Sequence, residues 1–268
     1  MERELSLSQK MFLQSILHYG FMDSSTVKAS YQSCRERYDE PTNLEDLRNF
    51  LRDINAQIRF MDIEVRKGFD EDSGLACYVA INTVDNPFLQ GTGKYTLKQM
   101  EYFKMLMKLI VLSDEGSITM VDALNAVDSL DFKLSKHEAA QLIEKDWVTS
   151  DKWLKGVTPF QLDRTQDEEY VADNTMITLG TRSIVELERY IRDTFSEYVK
   201  DCNICTRICI RGLVCRQCEH KVHAGCVKSY LSKQKQQIPL CPNKQCGVQR
   251  SELLGYHKSR QRANQSQH

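Results

Sequence analysis

Near the C-terminal end of the chain, eight residues of metal-binding type stand in four pairs: Cys202 and Cys205, Cys215 and Cys218, His223 and Cys226, Cys241 and Cys246. Two residues separate the members of the first three pairs, and four separate the last. A short knuckle turn aims both side chains of such a pair at one tetrahedral ion, so four pairs make two complete four-ligand sites. Closed coordination of that kind is structural, because no position is left for a catalytic water. Interleaving the pairs puts Cys202, Cys205, His223 and Cys226 on one Zn²⁺ and Cys215, Cys218, Cys241 and Cys246 on a second, a cross-brace; spacing alone also allows sequential pairing. Eight such ligands within 45 positions speak against free thiols filling a core. Cys209 and His220 fall outside the pairs and read as a small packing residue and a basic surface residue. Cys34 and Cys77 read as core thiols.

Disulfides are the rival use of ten cysteines. Glu2, Arg3, Glu4 and Lys10 leave no secretory apolar run at the start, so a reducing, intracellular setting is expected. The longest apolar stretch, Phe103–Leu112, is cut by Lys104 and Lys108 and is too short to span a bilayer, so no membrane partner is expected. The net charge of -1 hides a division. Residues 1–199 hold 23 Lys and Arg against 34 Asp and Glu, whereas residues 200–268 hold 13 against 3. Two zinc ions on seven thiolates leave the second part at about +7. An acidic body with a basic end suits nucleic acid or an acidic protein surface.

What must position these ligands is an α+β chain of several domains. Leu7, Met11, Ile16 and Leu17 suggest a first helix, Ser24–Arg35 a second, and Leu44, Leu47, Leu51, Ile54 and Ile58 a third behind the cap Asn43. Met61, Ile63 and Val65 then alternate with polar residues, as do Leu75, Cys77, Val79 and Ile81, around the turn Asp70-Glu71-Asp72-Ser73-Gly74. Three helices and a hairpin are the order of a winged helix, expected over 1–84. A linker at 85–95 follows, and 96–199 repeats the order with an added C-terminal helix. Thr96 with Gln99 and Ser135 with Glu138 are capping boxes. Trp147–Phe160 and Thr175–Leu179 supply the second pair of strands, Gln161–Asn174 a mobile acidic loop, and Ser183–Tyr198 the last helix. The zinc domain spans 200–256, and 257–268 reads as a disordered basic tail. The candidate recognition helices mix Arg48, Arg52 and Arg59 with Glu45, Asp46 and Asp53, and Lys136 and Lys145 with Glu138, Glu144 and Asp146. Phosphate contact needs a basic excess, so protein binding is the better expectation, with a weak DNA contact left to the zinc domain.

The ligand order Cys, Cys, Cys, Cys, His, Cys, Cys, Cys resembles variant RING and PHD fingers. PHD fingers usually place Trp two residues before the seventh ligand, where this chain has Pro239, and the Cys202-Asn203-Ile204-Cys205 and Cys241-Pro242 knuckles look RING-like. With two winged-helix patterns ahead of it, and with Ile63-Glu64-Val65-Arg66-Lys67-Gly68 and Glu188-x-Tyr190-Ile191-Arg192, the chain resembles the non-SMC element 1 family. Members of that family are subunits of the fifth-and-sixth structural-maintenance-of-chromosomes complex.

The resemblance implies a nuclear, chromosome-associated role in DNA repair. It also implies binding to the MAGE-like non-SMC element 3, with the kleisin non-SMC element 4 nearby, and ubiquitin-ligase activity dependent on the MAGE-like partner. A RING ligase holds a charged ubiquitin-conjugating enzyme so that its thioester meets a substrate lysine, which is catalysis by orientation. Ile204, Tyr230 and Pro242 match the docking positions for that enzyme. Active RING domains often place Arg or Lys directly after the eighth ligand. Here Gly247 stands there with Arg250 three further on, so weak activity of the chain alone is expected. A non-catalytic assembly module of the same complex is the alternative.

Overall fold

The computed structural model describes residues 4–83, 94–158, 176–215, 217–233, 241–243 and 245–246. The acidic loop at 161–174, the tail at 257–268 and residues 85–93 of the expected linker lie outside the described residues.

Helix α1 (Leu7–Tyr19) opens at a capping box in which the Ser6 side chain accepts from the Gln9 N–H and the Gln9 side chain accepts from the Ser6 N–H. Its buried face is Ser8, Phe12 and Ile16. Leu7 and Leu17, expected in the core, are 59% and 43% exposed. Two apolar stripes overlap on this helix, and the one with Phe12 wins because its ring meets Phe50 edge-on at 5.5 Å. Strand β1 (Phe21–Asp23) leads into α2 (Ser24–Arg37), capped by Asp23 accepting from the Thr26 N–H. Asn43 caps a 3-10 turn, Leu44–Asp46, so Leu44 stays exposed and α3 (Leu47–Ile58) begins later than the spacing suggests. The expected hairpin is β2 (Ile63–Phe69) and β3 (Ala76–Asn82), but Met61 and Leu75 lie outside it and are exposed. Strand β1, absent from the sequence reading, adds to the other edge of β3, giving the antiparallel order β1-β3-β2.

The second lobe repeats this plan. Helix α4 (Leu97–Leu112) follows the Thr96/Gln99 capping box. Strand β4 (Ile118–Thr119) and α5 (Met120–Asn125) come next, and α6 (Lys136–Gln141) opens at the Ser135/Glu138 box. Strands β5 (Leu154–Val157) and β6 (Met176–Leu179) complete an antiparallel sheet of order β4-β6-β5. Both lobes therefore share element order and strand order. Trp147, expected to start a strand, lies instead in a π-helical stretch, Leu142–Ser150. There its ring packs on Tyr95, Tyr102 and Phe103 at centroid distances of 6.1, 5.7 and 5.3 Å.

The single last helix expected from the sequence is two, α7 (Thr181–Glu186) and α8 (Glu188–Thr194), broken at the buried Leu187. Helix α7 itself serves two cores. Val185 on α7 packs with Cys77, Val79 and Ile81 of the first lobe's sheet, while Ile184, Leu187 and Ile191 join the second lobe's core. That second core also takes in Ile208 and Ile210 from the cysteine-rich segment. Among the described residues, no helix is long and apolar enough to cross a membrane.

Candidate metal centres

Two small hairpins build the first two knuckles. Strands β7 (Lys200–Asp201) and β8 (Ile208–Cys209) flank Cys202 and Cys205, while β9 (Leu213–Val214) and β10 (Lys221–Val222) flank Cys215 and Cys218. The turns are alike: the Thr206 N–H donates to the Cys202 carbonyl at 2.8 Å, and the Glu219 N–H to the Cys215 carbonyl at 2.9 Å. Thr206 and Glu219 close them at φ of 59° and 55°. The left-handed region costs a side-chain-bearing residue about 1–2 kcal/mol, so both knuckles hold some strain. His223 directly precedes α9 (Ala224–Lys233), whose first turn carries Cys226. The last knuckle is drawn together by the Cys246 N–H donating to the Asn243 carbonyl at 3.0 Å.

These elements gather the ligands in interleaved fashion. Donor atoms of Cys202, Cys205, His223 and Cys226 lie within 4.8 Å of one another, and so do those of Cys215, Cys218, Cys241 and Cys246. Sequential pairing, which spacing left open, is not what the fold builds. In the all-cysteine cluster, Sγ atoms of Cys215 and Cys246 are 3.6 Å apart and those of Cys218 and Cys241 are 3.7 Å apart. A tetrahedral zinc with Zn–S near 2.3 Å demands about 3.8 Å between sulfurs. In the mixed cluster, Nδ1 of His223 is 3.4 Å from Cys205 Sγ and 3.6 Å from Cys226 Sγ, against about 3.6 Å for a tetrahedral N–Zn–S pair. The other ring nitrogen, Nε2, donates to the Ile208 carbonyl at 2.9 Å, which leaves Nδ1 as the ligating atom. Both clusters fit a tetrahedral ion.

Local electrostatics divide the ligand thiols: Cys202 and Cys218 are held down, while burial pushes Cys226 and Cys241 up. Burial alone would push the Cys202 thiol up, but hydrogen bonding to His223 brings it down to about 6. Cys218, also opposed by burial, is brought to about 6 by the His220 backbone N–H and the Asn243 side chain. Cys209, outside both clusters, is pushed up to about 11 by burial and packs as a neutral thiol. His220 is exposed, its Nδ1 2.9 Å from the Cys218 carbonyl, as expected of a surface residue.

Sequence reasoning missed Glu71. This carboxylate sits in the β2–β3 turn of the first lobe yet lies 3.2 Å from His223 Nε2, with Cys209 beside both. The acidic turn in which it stands resembles any solvent-facing hairpin end, so no local signal sets it apart. Of the docking residues proposed from the resemblance, Ile204 is half-buried against the cluster of Cys202, Cys209, Leu213, Val222 and Val227. Tyr230, on α9, and Pro242, in the last knuckle, are also half-buried. The three thus stand on three different ligand-bearing elements.

Two lobes of repeated topology are joined to a compact segment whose eight side chains could fill two tetrahedral metal sites. Residues 9–187 match the family described as "Nse1 non-SMC component of SMC5-6 complex". The chain is 31% identical over 244 residues to the non-structural maintenance of chromosomes element 1 homolog of Xenopus laevis, covering 91% of this chain and 83% of that protein. It is 28% identical over 235 residues to the Homo sapiens homolog, covering 87% and 81%. A chain in a solved Nse1-Nse3-Nse4 complex superposes with a TM-score of 0.75 at 30% identity, covering 92% of this chain and 97% of that one. This chain belongs to the Nse1 family.

Proposed function

We propose that this chain is a zinc-stabilised, RING-type subunit of an SMC5-6 complex, bound to Nse3 and Nse4 in the nucleus. In this reading it supports ubiquitin transfer when its MAGE-like partner is present. The observation that carries this is the interleaved pair of four-ligand clusters on a body alike in fold to a chain of an Nse1-Nse3-Nse4 complex. Cys202, Cys205, His223 and Cys226 would hold one zinc, and Cys215, Cys218, Cys241 and Cys246 the other. With all four positions of each ion taken by protein, the metal would supply folding energy and rigidity.

The rest of the chemistry belongs to the surface so fixed. Ile204, Tyr230 and Pro242 would receive a ubiquitin-conjugating enzyme and hold its thioester toward an acceptor lysine, lowering the barrier by orientation. The lobes are read as tandem winged helices that bind protein. Arg52 on α3 pairs with the neighbouring Asp53 at 3.4 Å, and across the helix and its flanking turns Arg48, Arg52 and Arg59 are matched by Glu45, Asp46 and Asp53, which leaves no basic excess to offer phosphates. A ubiquitination assay on the purified chain, with and without Nse3, tests the reading. Activity is expected to be weak for the chain alone and raised by the partner, and Ile204→Ala should abolish it.

A non-catalytic assembly role is favoured by one observation: Ile204 packs against the first metal cluster. If Ile204→Ala leaves ubiquitination as in wild type while zinc content and Nse3 binding persist, docking through this knuckle is wrong and assembly remains.

A further inference from the structure

The β2–β3 turn of the first lobe is inserted into the metal-binding segment. Glu71 is 8% exposed. Its Oε1 accepts from the Ile210 N–H at 2.8 Å and its Oε2 from the Arg211 N–H at 3.0 Å, across 139 and 140 residues of chain. Oε1 also lies 3.2 Å from His223 Nε2. The Glu71 carbonyl accepts from the Gly225 N–H at 3.1 Å, at the start of the helix that bears Cys226. Around this point Asp72 pairs with Arg211, and the Arg207 guanidinium lies 3.8 Å over the Phe69 ring. A buried carboxylate is costly unless hydrogen-bonded, and here every partner comes from the metal-binding segment.

An imidazole that gives Nδ1 to a metal must keep its proton on Nε2 and hold its ring in one plane. The Ile208 carbonyl, from within the segment, takes that proton, and the Glu71 carboxylate, from another lobe, stands 3.2 Å from the same nitrogen. Carboxylate partners of ligating histidines fix the tautomer and raise the basicity of the ligand, and their loss typically lowers metal affinity about 10–100-fold.

Resting on the zinc reading above, we propose that Glu71 is a positioning residue for the mixed-ligand centre. Occupancy of that centre and docking of the first lobe's hairpin then form one coupled equilibrium. Linkage makes the coupling reciprocal: whatever loosens the hairpin weakens the metal at His223, and loss of that metal frees the hairpin. The all-cysteine centre, which touches neither Glu71 nor His223, stays outside the coupling.

The test uses the full chain loaded with cobalt, in which the S₃N and S₄ centres have distinct visible absorption, and a chelator to time release. Glu71→Gln is expected to shift the S₃N absorption and speed its release about tenfold or more, with the S₄ centre unchanged. Asp72→Asn, which loosens the hairpin without touching His223, should speed S₃N release less and shift no band. Glu71→Gln behaving as wild type overturns the proposal, and Glu71→Gln behaving like Asp72→Asn overturns the positioning role. Should Glu71→Gln fail to fold, hydrogen exchange on the wild-type chain serves. The Ser73 and Gly74 amides, in a lobe without ligands, should exchange faster once metal is stripped, and unchanged rates overturn the coupling. A wild-type chain that takes up no metal at all overturns the zinc reading itself, a failure distinguishable from all of these.

Discussion

Gly225 and Gly74 meet backbone to backbone across the junction of the first lobe and the cysteine-rich segment. A Cβ on Gly225 would stand 2.5 Å from the Gly74 nitrogen and 2.8 Å from its Cα. Gly225 lies in the first turn of α9, where alanine would ordinarily be preferred by about 1 kcal/mol. Main-chain atoms cannot rotate aside, and overpacking typically costs about 1–3 kcal/mol. Gly225→Ala is therefore expected to destabilise the chain, opposite to its helix propensity, and chemical denaturation of the two proteins measures the sign.

Metal content should fall one ion at a time. Cys215→Ser is expected to leave about one zinc per chain and Cys209→Ser about two, since only the former belongs to a four-ligand set. Elemental analysis of the purified variants decides it.

Acid should loosen the hairpin by a second route. Lys155, on β5, holds Asp70 at 2.6 Å and Asp72 at 2.9 Å, tying the two lobes. Burial alone would raise the Asp70 carboxyl, but the Lys155 ammonium and the Ser73 N–H hold it below the usual carboxylate range. Its folded value is lower than its unfolded one, so the stabilisation is complete above the unfolded value of about 4. It is lost as pH falls through the depressed folded value. The stability difference between wild type and Lys155→Met, followed by urea denaturation, should be constant near neutrality and shrink below pH about 4.

Trp147 is 1% exposed and anchors the aromatic group of the second lobe. Trp147→Ala should cost about 3–5 kcal/mol, with thermal unfolding as the measure.

Local chemistry was legible in the sequence wherever a few neighbouring residues decide the outcome. The Thr96/Gln99 and Ser135/Glu138 capping boxes, the β2–β3 hairpin and the four ligand pairs are all of that kind. Strands β1 and β4 escaped because three and two residues show no period. The break at Leu187 escaped because Ile184, Leu187 and Ile191 keep helical spacing across it and share one core. Glu71 escaped for the deepest reason. Its role is set by partners in a distant part of the chain, and its own neighbours, Asp70 and Asp72, look like a turn facing water.

Ile208 and Ile210, though they belong to the cysteine-rich segment, are bricks of the second lobe's core. The cysteine-rich end is thus mortared to the body and does not ride on a tether. A surface built on it keeps a fixed bearing to the second lobe.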